Sequence, residues 1–175
     1  RKISIIKDIK AVIATAKYIR EINAEVVTGH TPKGGLIAML AAYITRVPVR
    51  IYFRHGLVYE TSHGVKRSLL VNIDRLASKL ATKIVCVSPS VARRSLEDKL
   101  NPELKQVVLA NGTCNGIDTD RFSKGSVDTK KLQSLKKRLG INEGDFIIGF
   151  TGRLVRDKGI IELVRAYHTL KQNNS

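Results

Sequence analysis

The sequence is short of acid. Its 175 residues hold 15 Asp plus Glu against 31 Lys plus Arg, a formal charge of +16. The acids are dispersed, with no paired-carboxylate signature and no Ser/His/Asp arrangement, so no general base stands out. Cysteine is scarce too: Cys86 lies in an apolar strand pattern and Cys114 in a Gly/Asn-rich turn. Two cysteines without short spacing make neither a zinc site nor a disulfide framework. Both are read as free thiols in a reducing compartment. No metal-ligand cluster is visible, and no resident cofactor is expected. Asn111-Gly112-Thr113 matches a glycosylation sequon, which is chance in a chain without a secretory signal. The longest nearly apolar stretch, Gly34 to Ile44, is too short to span a bilayer. The first residue is Arg and no signal peptide precedes the first helical pattern, so a soluble, cytoplasmic piece of a longer protein is expected. Aromatic residues are few, 5%, and do not interleave with the basic ones, which weighs against a nucleic-acid-binding module.

Dinucleotide and nucleoside-triphosphate motifs are missing as well. No Gly-x-Gly-x-x-Gly occurs. Gly29 to Gly35 is like a P-loop only superficially, because Leu36 follows where Lys and then Ser or Thr are required.

What is present is alternation of helix and strand. Ile9, Val12, Ile13, Ala16, Ile19 and Ile22 share one helical face. Strands are expected at Ala24 to Thr28, Val47 to Phe53, Lys83 to Val87, Gln106 to Ala110 and Phe146 to Phe150. Between them lie a helix from Leu36 to Thr45, apolar on most sides and therefore buried, and a helix from Lys66 to about Ala81 with a Leu69, Ile73, Leu76 and Leu80 stripe. Ser88-Pro89-Ser90 is a helix start. A small, polar stretch, Ser123 to Thr129, reads as a linker. A short basic helix with Leu132, Leu135 and Leu139 follows, and a final helix carries Ile160, Leu163, Val164, Tyr167 and Leu170 inward. The pattern is α/β: a Rossmann-like parallel sheet with flanking helices. The expected division is 1–122, a linker at 123–129, and 130–175 as the start of a second domain, because one βα unit cannot enclose a core.

Ligands of open α/β sheets bind outside the carboxyl ends of strands. Gly152-Arg153 to Lys158-Gly159 follows the apolar run Phe146 to Phe150, and its two cations suit a ligand carrying two phosphates. A basic surface turn is the plainer alternative. Gly29 to Gly35 places backbone amides and Lys33 at a helix start, which suits an anion; a simple turn containing Pro is about as good a reading. Arg54 to Gly64 carries Arg54, His55, Tyr59, Glu60 and His63. His55 ends an apolar strand and precedes Gly56, so its ring can reach a cleft; His63 is read as surface. In Asn115-Gly116-Ile117-Asp118 to Phe122, Asn-Gly supplies a tight turn and Asp118 caps the local backbone.

Together these segments resemble the family-4 type glycosyltransferases of the GT-B fold, in which two Rossmann-like domains face each other across a cleft. His30-Thr31-Pro32-Lys33-Gly34-Gly35-Leu36, Arg54-His55-Gly56-Leu57, Val85-Cys86-Val87-Ser88, Asn115 to Phe122, and Arg153 with Lys158 carry the resemblance. It is strongest to bacterial members that build capsular, exopolysaccharide or lipopolysaccharide chains. The resemblance implies that His55 lies near the donor sugar, that Gly152, Arg153 and Lys158 hold the donor diphosphate, and that Lys33, Gly34 and Gly35 lie on the acceptor or anion-binding side. For the parent it implies transfer of a sugar from a nucleotide-diphosphate sugar to a glycan or lipid-linked acceptor, with retention. The family's Gly-rich first strand would precede Arg1 and its Glu-bearing motif would follow Ser175, so the fragment itself is expected to be inactive. The charge then reads as a docking surface for the anionic inner face of the plasma membrane, and no nucleic acid is expected as partner. A basic nucleic-acid-binding module and a sugar-nucleotide epimerase of the same architecture are the rival classes.

Overall fold

The computed structural model describes residues 4–113 and 116–173, the side chains of Asp157 and Asn173 excepted. Cys114 and Asn115 lie outside the described residues. The chain divides into two compact units, Arg1–Ile117 and Asp118–Ser175.

The first unit runs α1 (Ile5–Glu21), β1 (Val26–His30), α2 (Pro32–Ile44), β2 (Val49–Arg54), α3 (Gly64–Leu80), β3 (Lys83–Cys86), α4 (Pro89–Glu97) and β4 (Gln106–Val108). The four strands form one parallel sheet in the order β1-β2-β3-β4. Sequential order with right-handed crossovers puts the crossover helices on one face, and α2 packs against α1, α3, β1 and β2. The period of two sends Tyr52, Ile84 and Cys86 toward the helices, where they form a core with Met39, Ala77 and Ala81. A second cluster joins Ala16 and Ile19 of α1 to Ala41 and Ala42 of α2 and to Val47. On the reverse face Val26, Val49 and Val107 stand exposed.

The inward faces of α1 and α3 differ from the expected stripes. In α1 only Ala16 and Ile19 are buried, while Ile9 and Ile13, and Ile22 just past its end, are exposed. In α3 the buried residues are Val71, Asp74, Ala77 and Ser78, and Leu69 and Leu76 face outward. A polar cluster, described below, takes the inward face of α3.

In the second unit α5 (Thr129–Leu139) starts on Asp128, whose carboxylate accepts the amides of Lys130 and Lys131 at 3.0 and 3.1 Å. It stops on Gly140, in the left-handed region at φ 65°. Thr129, placed in the linker by composition, is thus already helical. A short turn at Arg156–Lys158 leads into α6 (Ile160–Asn173). The strand expected at Phe146 to Phe150 does not form; that stretch is extended or irregular and largely exposed. A strand needs a hydrogen-bonded neighbour, and the one sheet among the described residues is completed within the first unit. Among the described residues no helix is long and apolar enough to cross a membrane.

Candidate active site

Parallel pairing brings the carboxyl ends of β1, β2 and β3 to one edge of the sheet. β1 ends on His30, and Thr31 then turns the chain into α2. Thr31 sits at φ 66°, ψ 156°, where a β-branched residue costs on the order of 1–3 kcal/mol. Its carbonyl accepts the Gly35 amide at 2.7 Å, and its hydroxyl accepts that of Gly34 at 3.4 Å. Pro32 follows at the first helical position, where a missing N–H is harmless. The Lys33 ammonium meets Asp8 of α1 at 2.6 Å. Gly35 has a packing reason: a Cβ there would lie 2.3 Å from the Tyr52 ring. The first turn of α2 is thereby drawn onto β2.

At the end of β2 the strand alternation separates two neighbours. Arg54 turns toward the helices and is fully buried. Its Nη2 donates to Asp74 Oδ1 at 2.8 Å and to Ser78 Oγ at 2.6 Å, and its Nη1 donates to Asn101 Oδ1 at 2.7 Å. Among the described residues no buried side-chain nitrogen or oxygen lacks a partner. The sequence groups Arg54 with His55 in one loop, whereas the structure assigns its guanidinium to the core. Asp74, Ser78 and Asn101 carry no sequence signal of their own. The available clue is polar residues four apart, Asp74 and Ser78, on the face that packs inward.

His55 goes the other way. It stays exposed, and its Nε2 lies 3.0 Å from His30 Nδ1. The His30 ring stacks on Phe53, with centroids 4.5 Å apart and planes 10° from parallel. Partial burial, and secondarily the neighbouring His30, hold the His55 imidazole below its ordinary pKa. His30 was legible only as the start of the β1–α2 turn. The register that sets it opposite Phe53, two residues before His55, belongs to the sheet.

Other residues of the loop have structural roles. Tyr59 is buried and its hydroxyl donates to Asp98 Oδ2 at 2.9 Å; burial first, and then this bond to a carboxylate, push its pKa well up. His63 is exposed, as expected, and precedes α3. Ser88 caps α4, accepting the Val91 amide at 3.2 Å. Cys86 is a free, buried thiol whose pKa burial raises.

In the second unit Arg153 and Lys158 have exposed side chains on either side of a tight turn. The Val155 amide donates to the Arg153 carbonyl at 2.9 Å, and the Lys158 amide to the Val155 carbonyl at 3.0 Å. Gly159 takes φ 70° and α6 follows, as its position in the sequence predicts. Gly152 lies against the Phe150 ring, 3.1 Å from where a Cβ would stand. Asp118 caps its own turn, accepting the Arg121 amide at 2.9 Å. Among the described residues no group of three or more His, Cys, Asp or Glu is placed to hold a metal ion.

The family model for Glycosyltransferase Family 4 matches residues 4–121. The chain belongs to this family. Relatives include the capsular polysaccharide biosynthesis glycosyltransferase CapM of Staphylococcus aureus, 36% identical over 167 residues, which cover 95% of this chain and 43% of that protein. Another is the UDP-Gal:alpha-D-GlcNAc-diphosphoundecaprenol alpha-1,3-galactosyltransferase of Escherichia coli, 25% identical over 99% of this chain and 43% of its own length. The chain therefore spans about two-fifths of the length of these relatives. Among solved structures, Anabaena Alr3699/HepE in complex with UDP-glucose matches at TM-score 0.70 and 18% identity, over 89% of this chain and 39% of that one. That likeness is one of fold, an α/β architecture with a parallel sheet and flanking helices.

Proposed function

We propose that this family 4 chain is part of a retaining glycosyltransferase that moves a sugar from a nucleotide-diphosphate sugar to a glycan or lipid-linked acceptor during cell-surface polysaccharide synthesis. In this reading residues 1–122 belong to the acceptor-side domain, 123–129 link the domains, and 130–175 open the donor-side domain. The observation that carries it is His55, exposed at the carboxyl edge of a parallel sheet inside the family-matched region and held by His30. Capsular and undecaprenyl-diphosphate sugar transfer in the names of two relatives supports the same class.

The chemistry follows from charge. As the glycosidic bond to the diphosphate breaks, negative charge grows on the leaving group. Arg153 and Lys158 bind that charge more tightly in the transition state than in the ground state, which lowers the barrier. The Gly152 backbone gives the diphosphate close approach, and His55 orients the donor sugar. Lys33, Gly34 and Gly35 are assigned to the acceptor side. The nucleotide sugar is a substrate, and the reading requires no resident cofactor or metal ion. The excess of cations docks the protein on the anionic cytoplasmic face of the membrane, where a lipid-diphosphate acceptor would be held.

The test uses the full-length protein that contains this chain, labelled nucleotide sugars and a lipid-diphosphate acceptor. Arg153→Ala and Lys158→Ala should each lower turnover about 100-fold, the scale seen when one preorganised donor to a developing anion is removed. Near-unchanged turnover and donor affinity in both would end the proposed role.

A further inference from the structure

Among the described residues at the sheet's carboxyl edge, His30 touches His55 through a side-chain hydrogen bond, and the proposed chemistry gives it no task. Three features fix it. It ends β1 opposite Phe53 in the parallel register. Its ring lies flat on Phe53 at 4.5 Å. The next residue, Thr31, is held in a backbone region that favours glycine and is tied to the start of α2 through Gly35. The imidazole is therefore mounted on a rigid strand end.

We propose that His30 is a positioning residue for His55: one imidazole–imidazole hydrogen bond, Nδ1 of His30 to Nε2 of His55 at 3.0 Å, sets both the ring orientation and the tautomer of His55. In the neutral pair a single proton occupies this bond. If His30 donates, His55 carries its proton on Nδ1 and offers a donor to the sugar. If His55 donates, its Nδ1 is an acceptor. The bond couples the two rings, so the tautomer that His30 holds at its strand end fixes the polarity of the His55 nitrogen left for substrate, a coupling an unpartnered imidazole lacks. The inference rests on the assignment of His55 to the donor sugar.

The experiment uses the full-length protein and four variants. His30→Phe keeps the ring on Phe53 and removes the nitrogen. His30→Asn keeps a hydrogen-bonding atom near the position of Nδ1. His55→Ala and His30→Phe/His55→Ala complete a double-mutant cycle. Expected results are a kcat about 10-fold lower in H30F, with donor KM changed less than about 3-fold, and recovery in H30N to within about 3-fold of the parent. In the His55→Ala background, H30F should cause no further loss. Nitrogen-15 shifts of the His55 ring should report one tautomer in the parent and in H30N, and an averaged mixture in H30F. Wild-type kcat in H30F, equal losses in H30F and H30N, or additive losses in the double variant would each overturn the proposal. His30→Ala takes the place of H30F if the latter loses its cooperative thermal transition. Failure of this inference is separable from failure of the functional reading: full activity in His55→Ala removes the role of His55 itself. A dead His55→Ala beside an active H30F removes only the role of His30.

Discussion

Arg54 and His55 are adjacent in sequence and opposite in environment, because successive side chains of a strand leave on opposite faces. One guanidinium is enclosed by Asp74, Ser78 and Asn101, while the imidazole beside it faces solvent and His30. The ion pair is completely dehydrated, at 0% and 4% side-chain exposure, and such pairs stabilise little relative to apolar substitutes but are costly to break. Arg54→Met or Asp74→Leu alone should therefore destabilise by about 3–5 kcal/mol, and the two together by clearly less than either. Urea midpoints of the full-length protein measure this. Equal or additive losses would show that the pair is held by something other than mutual compensation. The sequence offered Arg54 as a loop cation because nothing local distinguishes a buried guanidinium from an exposed one. Its partners come from 20 to 47 positions away.

At the scale of elements, helices were easier to place than the faces they bury. α4 begins where Ser88-Pro89 says it should, since a hydroxyl cap and an N-terminal Pro act through local hydrogen bonding; α2 begins at Pro32, four residues before the expected Leu36, because Thr31 and Pro32 supply the same cap and start inside the stretch read as a turn. The face of α3 was misread because leucines define a stripe only when the core is apolar; here Asp74 and Ser78 go inward to meet Arg54. The 146–150 strand was misread because an apolar run encodes burial and leaves pairing to a neighbour. A prediction belongs to α2. Replacing Gly35 by Ala would ordinarily strengthen a helix by about 1 kcal/mol, but the added methyl would lie 2.3 Å from the buried Tyr52 ring. Overpacking of that kind costs about 1–3 kcal/mol, so the net change should be a loss of up to about 2 kcal/mol, read from a thermal melt. A rise in melting temperature would mean that the helix start moves freely over β2.

For the whole molecule the leading quantity is charge. With a formal net charge of +16 on these 175 residues and about 1 kcal/mol available per well-placed cation at an anionic bilayer, vesicles of phosphatidylglycerol should bind a protein carrying this segment more tightly than phosphatidylcholine vesicles. Raising salt from about 0.05 to about 0.5 M should abolish the difference, because the screening length falls below the reach of surface charges. Equal binding to both lipids at low salt would remove the membrane from the proposed function. Within the first unit the helices cover one face of the sheet, while parallel sheets are ordinarily covered on both, and Val26, Val49 and Val107 are exposed on the other.

The sequence by itself determined the order of helices and strands in the first unit, the Ser88 cap of α4, the loop carrying His55, and the resemblance that the family match bears out. These are local or pattern-borne properties: periodicity, capping chemistry and short motifs act within a few residues. Only the tertiary structure decided that Arg54 is core and His55 surface, that α3 buries an acid, and that His30 and His55 share a hydrogen bond. Each of those depends on the register between strands and on which helix face meets the sheet. Contacts between residues tens of positions apart set both.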